Sequence, residues 1–247
     1  MRAVPDAVCF RVTRYCNARC GFCLAPPDGA HPDLAALVGR VDWLADRGVR
    51  RIHLCGGEPT LHPELPALLD HLRRRQVRIR LTTNGLRVSD ALVARLVATE
   101  TAVKVSVHGD RDHHDRIVGR AGAFDAALDA VRRLRAGGAA LGLQTTAVRG
   151  GDDALDAVRQ LCLAERVRRW SVLPFVPRGL GRDRRDDYGL ADRDKRALRE
   201  RVAGWRRTLR GRVDVRWLDF ATRAVPVMEA DGRLVLEGAS EGVDQPW

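Results

Sequence analysis

The sequence predicts an α/β architecture with parallel strands, and three observations point to it. Short apolar runs alternate with longer amphipathic stretches, one pair roughly every 25 residues between Ala7 and Phe175. Strands interleaved with helices in this way pair in parallel through right-handed crossovers. The 247 residues suit one large domain with an ample core, a size that barrels reach as single units. The Cys, Gly and Asn motifs fall where apolar runs hand over to loops, the edge at which α/β folds collect their chemistry. By pattern alone, a doubly wound open sheet fits as well as a six-unit barrel.

Six strands are predicted at 7–13, 51–55, 78–82, 102–107, 140–148 and 169–175. Helices are predicted between them at 32–47, 63–75, 89–98, 123–136 and 152–165. Ser89 is an N-cap candidate for the third helix, and Gly137-Gly138 stops the fourth. Beyond the sixth strand the rhythm changes. Residues 177–189 form a charged, Gly-containing loop, and 191–209 a long surface helix. Short strands follow at 213–218, 225–229 and 233–236, with Asp231-Gly232 as a two-residue hairpin turn between the last two. We therefore divide the chain into a core, 1–178, and a C-terminal extension, 179–247, that closes onto it without a core of its own. Pro246-Trp247 carries no pattern that assigns it.

The formal net charge is +11, and of 43 basic residues only Lys104 and Lys195 are lysine. Such a bias fits a solvated surface, or attraction of an acidic partner. Nucleic acid is disfavoured, since the arginines alternate with Asp and Glu and aromatic residues are only 5% of the chain. No apolar run is long enough to span a membrane and no basic-then-apolar leader opens the sequence, so a cytoplasmic protein is expected. The six cysteines are expected to be reduced thiols in that compartment.

Only Cys16, Cys20 and Cys23 have ligand spacing, Cys-x3-Cys-x2-Cys in the loop after the first strand. Iron–sulfur clusters take four cysteine ligands as a rule, so three suggest an iron kept free for another molecule. Gly56-Gly57-Glu58-Pro59 ends the second strand and Thr82-Thr83-Asn84-Gly85 the third. Together these segments resemble the radical S-adenosylmethionine (radical SAM) superfamily, over roughly Ala7 to Arg178.

The resemblance implies a partial (β/α)6 TIM barrel, with the terminal helix and β-hairpin as an extension. It implies one 4Fe-4S cluster held by Cys16, Cys20 and Cys23, with S-adenosylmethionine chelating the fourth iron. Reductive cleavage would then yield a 5′-deoxyadenosyl radical that abstracts hydrogen from an organic substrate. Phe22 matches the position that approaches the adenine, and Gly56, Gly57 and Glu58 the motif that binds the methionyl amine. Ser106 and, second, Thr83 match hydroxyl contacts to S-adenosylmethionine, and Val176 a backbone contact to adenine. Downstream of Cys55 only Cys162 remains, so clusters with full cysteine ligation beyond the first are not expected. Cys55 itself is expected to be a small core residue. An electron donor such as a flavodoxin or ferredoxin is the implied partner.

The stretch His108 to Phe124, with His114-Asp115-Arg116 and Gly119, resembles peptide-modifying relatives and is expected to be a helix-capping loop on the substrate side. A metal site from His108, His113 and His114 is the poorer reading, because their spacing converges badly. His108, Gln144, Arg149 and Arg178 lie at strand ends and are substrate-contact candidates. Two substrate classes stay open: a peptide or peptide-derived natural product, and a small anionic metabolite such as a sugar or nucleotide that the arginines would bind. The rival from another class is a non-catalytic iron–sulfur or zinc sensor that binds nucleic acid. No catalytic acid, base or hydrogen donor is identifiable.

Overall fold

Alternation along each strand sorts the side chains onto two faces. In β1 (Ala7–Thr13) Val8, Phe10 and Val12 are buried against helices, while Cys9 and Arg11 line the opposite, inner face. β2 (Arg51–Gly56) repeats this with Ile52 and Leu54 outward and His53 and Cys55 inward. The computed structural model describes residues 5–222 and 224–246.

The elements continue in the predicted order. Helix α1 (Leu34–Asp46) precedes β2, and Asp33 caps it by accepting from Ala36 N at 2.8 Å. After β2 come α2 (Leu65–Arg74), β3 (Arg78–Thr83), α3 (Asp90–Ala98) and β4 (Ala102–Ser106). Ser89 caps α3, its Oγ accepting from Leu92 N at 3.2 Å. Then follow α4 (Arg111–Val118), α5 (Ala123–Ala136), β5 (Ala140–Ala147), α6 (Asp152–Ala164) and β6 (Arg169–Pro174).

Helix α4 lies where a capping loop was expected. Its sequence is almost wholly polar, and only His114, Ile117 and Val118 are buried, so no apolar stripe announces it. Its ends carry the signal instead: Asp110 Oδ1 accepts from His113 N at 2.8 Å, and Gly119 closes the helix at φ 68°.

After β6, residues 179–184 form a tight 3-10 turn, followed by α7 (Arg185–Tyr188), α8 (Asp192–Thr208), β7 (Asp214–Trp217), β8 (Val225–Met228), β9 (Leu234–Glu237) and β10 (Gln245–Pro246). Among the described residues the sheet runs β10-β9-β8-β1-β2-β3-β4-β5-β6-β7, parallel from β8 through β7 and not closed. This is the partial barrel expected, and the doubly wound alternative is replaced by it. The terminal strands split, β7 lying beside β6 and β8 beside β1. Gln245 and Pro246 pair with Leu236 and Val235, while Trp247 lies outside the described residues.

The β8–β9 turn differs from the two-residue hairpin expected. Gly232 N donates to Glu229 O at 3.0 Å and Glu229 N to Arg233 O at 2.8 Å, which makes a three-residue loop with Gly232 at φ 94°. A type I turn followed by a left-handed glycine gives that geometry, and Asp-Gly serves it as readily as a type I′ turn.

Buried charges link the open ends of the barrel. Arg178, just beyond β6, donates to Asp244 at 2.7 and 2.6 Å and to Glu237 at 3.0 Å. Arg11 on β1 donates to Glu237 at 2.7 and 2.8 Å and also binds Glu229. Glu237 thus joins β1 and the segment after β6 through the C-terminal hairpin. Removing one partner from such a network leaves a buried charge uncompensated, at about 3–5 kcal/mol. Glu237→Gln is therefore expected to lower unfolding free energy by about 3 kcal/mol in urea titration; an unchanged midpoint would show that the ends are held by packing alone.

Candidate functional site

A cavity of about 290 Å³ opens at the C-terminal ends of the strands and extends into the barrel. Cys16, Cys20 and Cys23 border it, in a loop that three neighbours clamp. From below, Gly57 N donates to Thr13 O at 2.7 Å and Glu58 N to Tyr15 O at 2.8 Å. Contact this close requires glycine. A Cβ on Gly56 would lie 2.2 Å from Thr13 O, and one on Gly57 2.1 Å from Tyr15 O. From the side, the last turn of α4 receives the loop, Arg19 N donating to Val118 O at 3.0 Å and Gly21 N to Ile117 O at 3.3 Å. From above, Leu180 N donates to Cys23 O at 2.9 Å.

Glu58 is 1% exposed, and its carboxylate ties β2 to β3. Oε1 accepts from Thr60 N, Thr60 Oγ1 and Thr83 Oγ1 at 3.0, 2.7 and 2.7 Å, and Oε2 from Asn84 N at 2.7 Å. Burial raises its pKa, against the pull of those donors. The Thr83 hydroxyl also accepts from Gly85 N at 3.0 Å, so its proton and one lone pair are engaged within the protein. Asn84 Nδ2 donates to Asn17 Oδ1 at 2.8 Å and pins the cysteine loop to the β3 turn. No sequence pattern announces this clamp, since nothing local connects positions 17 and 84.

The thiol set fits a cluster. Burial, then the neighbouring thiols Cys23 and Cys16, push the Cys20 pKa up to about 12, and burial raises Cys16 and Cys23. Thiols in such a setting ionise when a cation compensates them. Among the described residues no three His, Cys, Asp or Glu side chains converge as the ligands of one ion do. Cysteines on a cubane bind separate irons and need no such convergence.

The opposite wall is uncharged. His108 Nδ1 accepts from Thr146 N at 3.1 Å and His114 Nδ1 from His108 N at 3.1 Å, which places both ring protons on Nε2. Desolvation drives both pKa values down, that of His114 to about 4. His114 borders the cavity, and its buried Nε2–H has no partner among the described residues. The Phe22 ring meets His108 edge-on at 4.8 Å.

Ser106, Gln144 and Val176 also line the cavity. Gln144 Oε1 accepts from Lys104 at 3.3 Å, and the Val176 carbonyl from Arg178 N at 2.8 Å. Arg178 lines the cavity with its terminal nitrogens bound to Asp244 and Glu237, while its buried Nε has no partner among the described residues. Arg149 does not join the others. It is exposed, and it holds the end of α7 through Gly189 O at 3.0 Å. Cys55, expected in the core, instead borders the cavity together with Cys9, His53 and Thr82. Period-two alternation from Cys9 to Arg11 and from His53 to Cys55 was the available signal.

The family model described as the Radical SAM superfamily matches residues 10–160. The Fe-coproporphyrin III synthase of Methanosarcina barkeri is 30% identical over 179 residues, covering 70% of this chain and 45% of its own. Mycofactocin maturase MftC of Mycobacterium tuberculosis strain H37Rv is 29% identical over 138 residues, covering 54% and 35%. The chain thus spans less than half the length of either relative. Streptococcus suis SuiB bound to precursor peptide SuiA shares the fold, with TM-score 0.74, 18% identity and coverage of 87% of this chain and 49% of that one. No helix among the described residues is long and apolar enough to cross a membrane.

Two outcomes are expected of these contacts. Gly57→Ala forces a Cβ onto backbone and should destabilise the fold by about 1–3 kcal/mol or more, with the cysteine loop displaced; wild-type stability in urea would refute the close approach. The lowered histidine pKa values make the folded state bind protons less readily than the unfolded chain. Stability is then complete above pH 6.5 and falls as pH drops from 6.5 toward about 4, the His114 value. Thermal unfolding followed from pH 7.5 to 4.5 tests this, and His114→Gln should flatten the profile.

Proposed function

Since the chain belongs to the radical SAM superfamily, we propose that Cys16, Cys20 and Cys23 hold its 4Fe-4S cluster and that the cavity beside them receives S-adenosylmethionine and an organic substrate. When bound, cluster and cofactor supply a carbon radical that abstracts hydrogen from the substrate. The observation that carries the assignment is the meeting, in one cavity, of three thiols, the Gly56-Gly57-Glu58 turn and the ends of β4 and β5.

The chain's own residues position and shield. Gly56 and Gly57 bring backbone close to the loop, and Glu58 holds the β2 and β3 turns at the place where the methionyl amine would lie. Phe22 and the Val176 backbone would flank the adenine, with Ser106 facing the cofactor. Thr83, which lines the cavity, would also act through Glu58, to which its hydroxyl donates.

A peptide or peptide-derived substrate is the better reading. The cavity-lining arginines Arg11 and Arg178 are neutralised by carboxylates, while His108 and Gln144 offer uncharged groups. Such a wall suits amides and poorly suits a phosphate or carboxylate. A maturase among the relatives and a peptide-bound neighbour of the same fold support it. The small anionic metabolite is the second reading, favoured by the porphyrin synthase among the relatives.

Anaerobic reconstitution with iron, sulfide, dithionite and S-adenosylmethionine should yield 5′-deoxyadenosine, scored by mass spectrometry. Cys20→Ala should abolish both the cluster absorbance and the nucleoside; a variant that kept both would remove the ligand assignment. Arginine on the surface would draw an acidic flavodoxin, so the rate of reduction by such a donor should fall as salt rises. A rate independent of salt would return those charges to solvent.

A further inference from the structure

Two thiols stand inside the barrel, apart from the cysteine loop. Cys9 on β1 and Cys55 on β2 stand on adjacent strands, and both border the cavity that Cys16, Cys20 and Cys23 enter from the rim. Cys55 immediately precedes the Gly56-Gly57 turn, so it lies higher in the lumen than Cys9. Cys9 Sγ stands 4.0 Å from His53 Nδ1, and His53 Nε2 pairs with Thr82 Oγ1 at 2.7 Å. Both thiols are free. Cys9 faces His53 in the parallel register and Cys55 faces Arg11, which makes the two diagonal neighbours.

We propose that Cys55 is the hydrogen-atom donor that quenches the substrate radical, with Cys9 and His53 as its proton relay. This rests on the radical reading of the same cavity. A thiol S–H bond is weaker than an unactivated aliphatic C–H bond and comparable in strength to a peptide Cα–H bond, so sulfur can pass hydrogen to a carbon radical without an uphill step of any size. The S–H bond of Cys55 breaks homolytically, a C–H bond forms on the substrate, and a thiyl radical remains. One electron from a reduced flavodoxin or ferredoxin and one proton, passed from His53 through Cys9, restore the thiol. The substrate then leaves with its hydrogen count and oxidation state unchanged. Delivered to the face opposite the hydrogen removed, this transfer gives inversion at a carbon centre.

The electrostatics around the pair agree. The neighbouring Cys55, with His53 and Arg11, draws the Cys9 pKa down despite burial. Cys9 and burial push the Cys55 pKa up, so Cys55 keeps its proton at neutral pH. Cys162 is the internal contrast: it is buried in α6, away from the cavity.

The test uses reconstituted protein freed of small thiols, in D2O, with dithionite and S-adenosylmethionine and no substrate. A thiol exchanges its proton with solvent, so a radical quenched at Cys55 carries away deuterium. Wild-type protein and Cys162→Ala should both yield 5′-deoxyadenosine with one deuterium. Cys55→Ala should lose that label, read as the deuterated fraction of whatever nucleoside forms. Unlabelled nucleoside from wild-type protein, or a labelled fraction unaltered in Cys55→Ala, overturns the donor assignment while leaving the radical reading intact. Absence of nucleoside from every protein overturns both. A second readout needs no cofactor: N-ethylmaleimide on the folded apoprotein, mapped by mass spectrometry, should label Cys9 or Cys55 and spare Cys162. Failure to label either lumen thiol also overturns the proposal.

Discussion

The close approach of β2's end to β1's end is the constraint on which the site depends. Two hydrogen bonds, from Gly57 N to Thr13 O and from Glu58 N to Tyr15 O, seat the root of the cysteine loop. No side chain larger than hydrogen fits at Gly56 or Gly57, because a Cβ would meet backbone oxygen. Backbone cannot yield as a flexible side chain can, so the contact sets where Cys16 leaves the sheet. Glu58 carries the constraint onward, its carboxylate fixing Thr83 and Asn84, and Asn84 in turn holds Asn17 within the loop. The glycine motif is therefore structural before it is chemical, since it positions the thiols whatever it binds.

A second feature concerns charge. The inner face of this barrel is polar, which is costly to bury unless every group is satisfied. Arg11 and Arg178 are met by Glu229, Glu237 and Asp244, and the two histidines are held neutral by backbone donors. The arginines that border the cavity thus have their charges matched within the protein, while deeper in the barrel Lys104 meets only the neutral Gln144 among the described residues. The extension supplies Glu237, which gives a terminal hairpin of modest size a direct part in shaping the cavity.

Much of the fold was legible because its signals are local. Strand and helix limits for the six repeated units agree with the sequence reading to within about two residues, since alternation and capping are read over short windows. Helix α4 was missed because it buries too few apolar residues to display a period, and the Asp231-Gly232 turn because one dipeptide serves two loop lengths. Arg149 and Arg178 were grouped as strand-end cations, yet one lies outside the cavity and the other inside it with its charge already matched.

The sequence by itself determined the strand–helix order, the three-thiol loop, the glycine turn and the family they point to, because each is a pattern among residues close in the chain. Only the tertiary structure decided that Cys9 and Cys55 share a lumen with that loop, that Asn17 is held by Asn84, and that Arg178 is neutralised by residues 59 and 66 positions away. The physical reason is sequence separation. Parallel strands bring together positions tens of residues apart, and whether a buried group is paired depends on partners that no local window contains.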